Sequence, residues 1–378
     1  MRCVRFMMGL VLMGILCAPV MATEGSGISW AFQWTGFPHT SSFGQTAVAM
    51  RDGQTWPVIF SANQSAQVVD AYSLYPVLNP MTNTNWHQIG SNVLGGPFGT
   101  LESLSAATSP DGRFGVVARS GSTSVATIGS SQTGFSSPML DVYGIDFDAQ
   151  GNLVPCTPST VPNMSSQPVD IAVSPSGDIG VLGSDLVYYQ YSPLLEDWFQ
   201  TSFAGYLPGV PMSTDLELDA LGRPHVLSMV SSGGNTDLIA LDFNVMTGQW
   251  MPSTVDTVSE PSFTIKASAA SDSTGVVGAA WVDEGVLKYA YKDGNNPWTT
   301  MVVTSSVYDP VGHQHYELRD FQSPGLTFDA DDLPVISFVD STSKIWLAYD
   351  PPVSVPEPGT WCLLIGGCLA LVLRRRAR

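Results

Sequence analysis

Cysteine is nearly missing from the central part of the chain. Of the 5 cysteines, Cys3 and Cys17 lie near the start and Cys362 and Cys368 near the finish, leaving Cys156 between them. An intramolecular disulfide in that central body is excluded, so its fold rests on packing. Cys156 sits in Pro155-Cys156-Thr157-Pro158 with no histidine nearby, which reads as a tolerated thiol rather than a nucleophile. Positive charge is also scarce. The chain has 15 Lys and Arg against 33 Asp and Glu, and six of the basic residues stand at the two ends. Between Thr23 and Val355 there are 9 basic and 32 acidic residues, a net of −23. Such a surface repels phosphate backbones and anionic headgroups, which excludes nucleic acid as a partner but leaves free cations and neutral glycans compatible. Helix-compatible composition is lacking too, because 36 Gly and 27 Pro break helices or make turns. What is there is core material: charged residues are 13%, aromatics 10%, and the mean hydropathy is +0.13, so the chain is not of disordered type.

Both ends read as addresses. Met1 to Arg5 carries two positive charges, Phe6 to Cys17 is apolar, and Val20-Met21-Ala22 offers cleavage-compatible residues. That order is the layout of a secretory signal peptide over 1–22. At the other end, Val355-Pro356-Glu357-Pro358-Gly359-Thr360 precedes the apolar run Trp361 to Leu373, and Arg374-Arg375-Arg376-Ala377-Arg378 closes the chain.

This arrangement of Pro356, Glu357 and Pro358, a hydrophobic helix and the Arg374, Arg375 and Arg376 cluster resembles the PEP-CTERM sorting segment of exported bacterial proteins. The resemblance covers 353–378. It implies recognition by a membrane enzyme of the exosortase type and cleavage near the Pro-Glu-Pro motif, after passage through the secretion translocon. Physics supports the geometry, because a terminal Arg cluster stays on the cytoplasmic side and leaves the body outside. The 13 apolar residues make about 20 Å of helix against a hydrocarbon core of about 30 Å, which suits a transient membrane hold better than a lasting anchor.

The body, 23–352, repeats. A turn followed by a short apolar, β-branched run recurs at Arg51-Asp52-Gly53, Ser109-Pro110-Asp111-Gly112, Ser174-Pro175-Ser176-Gly177, Asp219-Ala220-Leu221-Gly222, Asp272-Ser273-Thr274-Gly275 and Asp329-Ala330-Asp331-Asp332. Successive markers are 59, 65, 45, 53 and 57 residues apart, enough for four strands and their loops. A Trp-bearing outer strand follows in several units, at Trp86, Trp198, Trp250 and Trp298. The pattern predicts an all-β, six-bladed β-propeller. A seven-bladed alternative counts Asp148-Ala149-Gln150-Gly151-Asn152 as a further inner turn. The last unit stops early at Ile345 to Tyr349, while Ile28 to Trp34 has no partner, so the first strand is expected to complete the last blade.

Chemistry-bearing residues are few. His313, His315 and Glu317 alternate along the connection from the fifth to the sixth unit, on one side of an extended segment. They are the candidate ligand set for a divalent cation, with a polar loop as the plainer reading. Trp56 and Trp281, near inner hairpins, are the candidate glycan-stacking residues. Aspartate-rich turns such as Asp329 to Asp332 read as turn caps rather than calcium loops, and His225 reads as a core histidine. Arg51, Arg113, Arg119, Arg223 and Arg319 are the body's arginines, too few and too often in turns for an anionic-sugar hydrolase. The sequence therefore points first to an exported, non-enzymatic propeller scaffold at the cell envelope or in the extracellular matrix, held briefly by its C-terminal helix and kept at the surface or released. A propeller that binds extracellular polysaccharide is the alternative, and a polysaccharide hydrolase or lyase ranks third.

Overall fold

In a computed structural model the described residues lie between 28 and 350, with interruptions chiefly at 39–45, 51–56, 75–85, 91–102, 127–139 and 260–266. Both expected address segments, together with Cys156 and Trp56, fall outside the described residues. Those described form 29 strands and a single 3-10 turn at Ala204–Tyr206.

Five sheets are regular four-stranded antiparallel blades. The 46–90 blade is Thr46–Ala49, Val58–Asn63, Val68–Leu74 and Trp86–Gly90. The 168–202 blade is Pro168–Val173, Ile179–Gly183, Val187–Ser192 and Asp197–Ser202. The 210–258 blade is Val210–Leu218, Pro224–Ser232, Asn235–Asn244 and Gln249–Val258. The 268–304 blade is Ser268–Ser271, Val276–Asp283, Val286–Asp293 and Thr299–Thr304. The closing blade takes Gly325–Phe328, Pro334–Val339 and Lys344–Tyr349 from the end of the chain and Ala31–Pro38 from its start. Between the first two stands an irregular five-stranded sheet spanning 103–155. The innermost strands neighbour one another in chain order, and Gly325–Phe328 returns to Thr46–Ala49. Radial four-stranded sheets around a closed ring of inner strands make a β-propeller.

The N-terminal strand pairs antiparallel with Lys344–Tyr349, in the register Ala31 to Tyr349 and Trp34 to Trp346. The edge left by the short last unit is thereby covered. The hairpin that would open a seventh unit pairs instead on the outside of the irregular sheet, where Ile145–Phe147 joins Leu153–Pro155 and touches Phe114.

The apolar second strands are buried on both faces, as in Pro334–Val339 and Val276–Asp283, because each blade is covered by a blade on either side. Trp250 fills the seam between two blades among Tyr188, Phe203 and Phe243. Trp281 and Ala279 meet Leu227 and Leu238 at the next seam. Tyr289, Phe328 and Phe338 occupy the one after, and Val48, Ile59, Val335 and Leu347 fill the seam that closes the ring.

Four of the described hairpin turns use one device. The carboxylates of Asp219, Asp272, Asp329 and Asp340 each accept the backbone N–H groups two and four residues ahead, at 2.8 to 3.0 Å. The residue three ahead takes positive φ, namely Gly222, Gly275, Asp332 and Ser343. The expected turn-capping role of Asp329 is met in this way.

A second device ties blade to blade. Seven residues before the markers Gly177, Gly222 and Gly275 stand Asp170, Asp215 and Ser268. Asp170 accepts the N–H of Leu216 at 2.8 Å, Asp215 that of Ala269 at 2.6 Å, and Ser268 Oγ that of Leu326 at 3.1 Å. Each donor belongs to the innermost strand of the following blade. At the closing seam the matching residue is Gly325, where an added Cβ would lie 2.8 Å from the Val48 nitrogen and 3.0 Å from the Ala47 Cα. There Thr46 donates to Ser323 O through its N–H at 3.2 Å, and Ser337 Oγ reaches Thr46 Oγ1 at 2.9 Å.

Asp215→Ala leaves the Ala269 N–H buried without its acceptor and should cost about 1–3 kcal/mol in denaturant unfolding, whereas Asp215→Asn keeps an acceptor and should cost less. Gly325→Ala forces backbone apart at the closing seam and should destabilise by about 1–3 kcal/mol, read as a lowered melting temperature.

Candidate functional site

Among the described residues, a dense group of ionisable side chains lies across the seam between the 210–258 and 268–304 blades. Glu217, His225 and Asp242 are consecutive register partners on three neighbouring strands, so alternation places them on one face. Asp215 on that same face already reaches the next blade. Glu217 accepts from Ser271 Oγ at 2.8 Å and from the Ser271 N–H at 3.2 Å. The His225 ring meets Asp242 through Nδ1 at 2.8 Å and Asp219 through Nε2 at 3.5 Å. Asp219 also holds Arg223 Nε at 2.6 Å, and Lys292 of the next blade pairs with Asp242.

Two carboxylates flank the imidazole and outweigh its burial, so His225 is pushed up to about 9 and stays protonated at neutral pH. Its charge and that of Arg223 hold Asp219 well below the ordinary carboxylate range, and Asp242 is lowered by His225 and Lys292. Glu217 goes the other way, raised to about 8 because burial outweighs its Ser271 hydrogen bonds. The core-histidine reading of His225 holds for its place in a mostly buried strand, and its carboxylate partners make it in addition an imidazolium at the centre of an interblade ionic row. Its sequence signal was Asp219 and Arg223 in the adjoining turn, and the missing part was register, which alone brings in Glu217 and Asp242.

The other described lysines serve as struts of the same sort. Lys288 spans from Asp283 at 2.9 Å to Asp256 at 3.0 Å on the preceding blade. Lys344 pairs with Asp309 at 3.2 Å and lies over the Tyr316 ring, 4.3 Å from its centroid.

His313, His315 and Glu317 fall on a hairpin, Ser306–Asp309 with Gln314–Glu317, inserted before the innermost strand of the closing blade. His315 and Glu317 share a strand face as expected, while His313 lies in the turn at φ 53°. All three are exposed. His313 Nδ1 is 3.1 Å from the Tyr308 hydroxyl, and the His315 ring is tilted 4.9 Å from the Tyr308 ring. Among the described residues no three His, Cys, Asp or Glu side chains come together as a metal site, so the alternation in sequence does not converge into a ligand set. Trp281 needs a correction as a stacking residue. It is 0% exposed, sealed in the seam among Leu227, Ala240 and Ala290, because its strand is covered on both faces and neither ring face meets solvent. Trp56 lies outside the described residues.

At pH values above its ordinary 4.5, Glu217 increasingly opposes folding, fully so once pH passes about 8. The His225 proton stabilises the fold fully below its ordinary 6.5, and that contribution is lost as pH rises through about 9. Asp219 and Asp242 contribute above 3.8 and lose their effect only on acidification. Thermal melting followed across pH should therefore show greatest stability near pH 4–6 and a decline to about pH 9. His225→Gln should lower the melting temperature at pH 5 and leave it little changed at pH 10, and Glu217→Gln should raise it at pH 9.

No protein-family model and no curated protein matches the chain. Among solved structures it is similar to AofleA from Arthrobotrys oligospora, at 9% identity and TM-score 0.53, over 86% of this chain and 88% of that one. Weaker likenesses are to XC5397 of Xanthomonas campestris, described as a gluconolactonase, at 10% identity and TM-score 0.46 over 85% and 90% of the two chains, and to the polysaccharide lyase Uly1, at 11% identity and TM-score 0.42 over 82% and 78%. At these identities the likeness to AofleA speaks to fold alone, and the chain stands as an all-β propeller whose chemistry must be argued from its own residues.

Proposed function

We propose that the chain is an exported, non-enzymatic propeller scaffold delivered to the cell envelope through its C-terminal segment. The observation that carries this reading is the contiguous order of Pro356-Glu357-Pro358, the apolar run Trp361 to Leu373 and the Arg374 to Arg378 cluster. The signal-like N-terminus supports it. The body's ends support it as well, since Ala31 and Tyr349 are register partners, which brings the two ends of the described chain together. Counting the irregular 103–155 sheet as a blade gives six. Its innermost strand Ser103–Thr108 neighbours both Thr46–Ala49 and Pro168–Val173, which favours that count.

The body then awaits an exosortase-type enzyme at the membrane, reached through the secretion translocon, and is released or retained at the surface after processing. Its acidic exterior suits this, because it does not adhere to anionic headgroups. The test is to express the full chain in a host that carries such an enzyme and to follow its mass and fractionation. Wild type should lose the tail and leave the membrane fraction, while a variant with Pro356, Glu357 and Pro358 changed to Ala should stay full length and membrane-bound. Equal processing of both would remove the sorting reading, and full-length wild type in the cytosol would remove export itself.

A further inference from the structure

The inserted hairpin is a built platform rather than a slack loop. Leu318 N–H donates to Ser305 O at 3.3 Å, Ser341 N–H to Glu317 O at 2.8 Å, and Arg319 N–H to Val339 O at 3.3 Å. Buried Gln322 accepts the Val339 N–H at 2.6 Å and donates to Arg319 O and Val339 O at 2.8 Å. Lys344 clamps Asp309 and Tyr316 from the closing blade. On this rigid base Tyr308 stands 47% exposed, although Val307 beside it is buried in the seam. The tyrosine is oriented from two sides. His315 packs against its ring, and His313 adopts a left-handed backbone at φ 53° with its Nδ1 against the phenol oxygen. The ring is thus presented at the surface in a fixed orientation, with its hydroxyl held by His313.

The charge around it limits what that use is. Glu317 lies on the His315 strand face, and exposed Asp320, three residues on, is set against the turn that carries exposed Glu284; the cations of this stretch are Arg319 and Lys344, and Lys344 is committed to Asp309. A polyanion is repelled here. We infer that Tyr308, with His313 and His315, forms a stacking platform for a neutral polysaccharide of hexopyranose units, the sugar's C–H face lying on the phenol ring and the imidazoles offering hydrogen bonds to its hydroxyls. The hairpin joins the closing blade at the Leu318–Asp340 bridge, beside the 340–344 turn. Ala31 and Tyr349 pair at the opposite end, where Tyr349 faces Val335. The platform and the Ala31–Tyr349 pair therefore lie at opposite ends of the closing blade, and sugar binding does not depend on the export reading.

The test is calorimetric titration of the full chain, purified in mild detergent, with cellohexaose, mannohexaose and isomaltohexaose, and with polygalacturonate as the anionic control. At least one neutral oligosaccharide should bind and polygalacturonate should not. Tyr308→Ala should weaken binding roughly tenfold or more with an unchanged melting temperature, and Tyr308→Phe should retain most of the affinity. His315→Ala is the second variant and should weaken binding even if Tyr308→Ala disturbs the hairpin. Failure of all three neutral sugars to bind, preference for polygalacturonate, or binding untouched by Tyr308→Ala and His315→Ala would overturn the assignment. None of these outcomes bears on tail processing, so the two readings fail separately.

Discussion

The inner strands of a propeller have an awkward position, because each has a sheet partner on one side only and faces the ring on the other. Here the open backbone is met by side chains from the blade before. Asp170 takes the Leu216 N–H and Asp215 takes the Ala269 N–H, and Ser268 takes that of Leu326. An unmet buried N–H is expensive, so these bonds set the distance and the height at which one blade follows another. The apolar seams and the charged row can only form once that spacing is fixed. Where the series reaches Gly325 the side chain disappears, since first and last blades come too close there to admit even a Cβ.

How much of this was legible depends on whether a feature is local or needs register. The Asp and Gly of the turns declare themselves, because Asp219, Asp272 and Asp329 cap bonds within five residues and the positive φ falls at one fixed place. The doubly buried runs Val276 to Trp281 and Val335 to Val339 are legible as well, since alternation is lost when both faces are covered. Completion of the closing blade by the first strand followed from an unfinished last unit. The staple column was not legible, because Asp, Asp, Ser and Gly share a position but no obvious chemistry.

The candidate site shows the same division. Trp281 lies near a hairpin in sequence, yet sequence does not tell which side of a blade its neighbour covers, and the seam covers it wholly. The alternation of His313, His315 and Glu317 was correct only in part, because a left-handed turn residue takes His313 out of the strand. Tyr308 carried no motif at all. It gains meaning only as the register partner of His315, across a hairpin whose turn lies between them. Scarcity of positive charge, by contrast, was legible from composition and has a structural sequel: Lys288, Lys292, Lys344 and Arg223 are all engaged by aspartates.

The pairing of Ala31–Pro38 with Lys344–Tyr349 joins an early strand of the body to a late one. A growing polypeptide presents the first strand early and its partner some three hundred residues later, so the ring has no shorter route to closure. Over that interval an uncovered strand edge is open to wrong partners. The joint thus makes completion of the fold report that the whole body has been made.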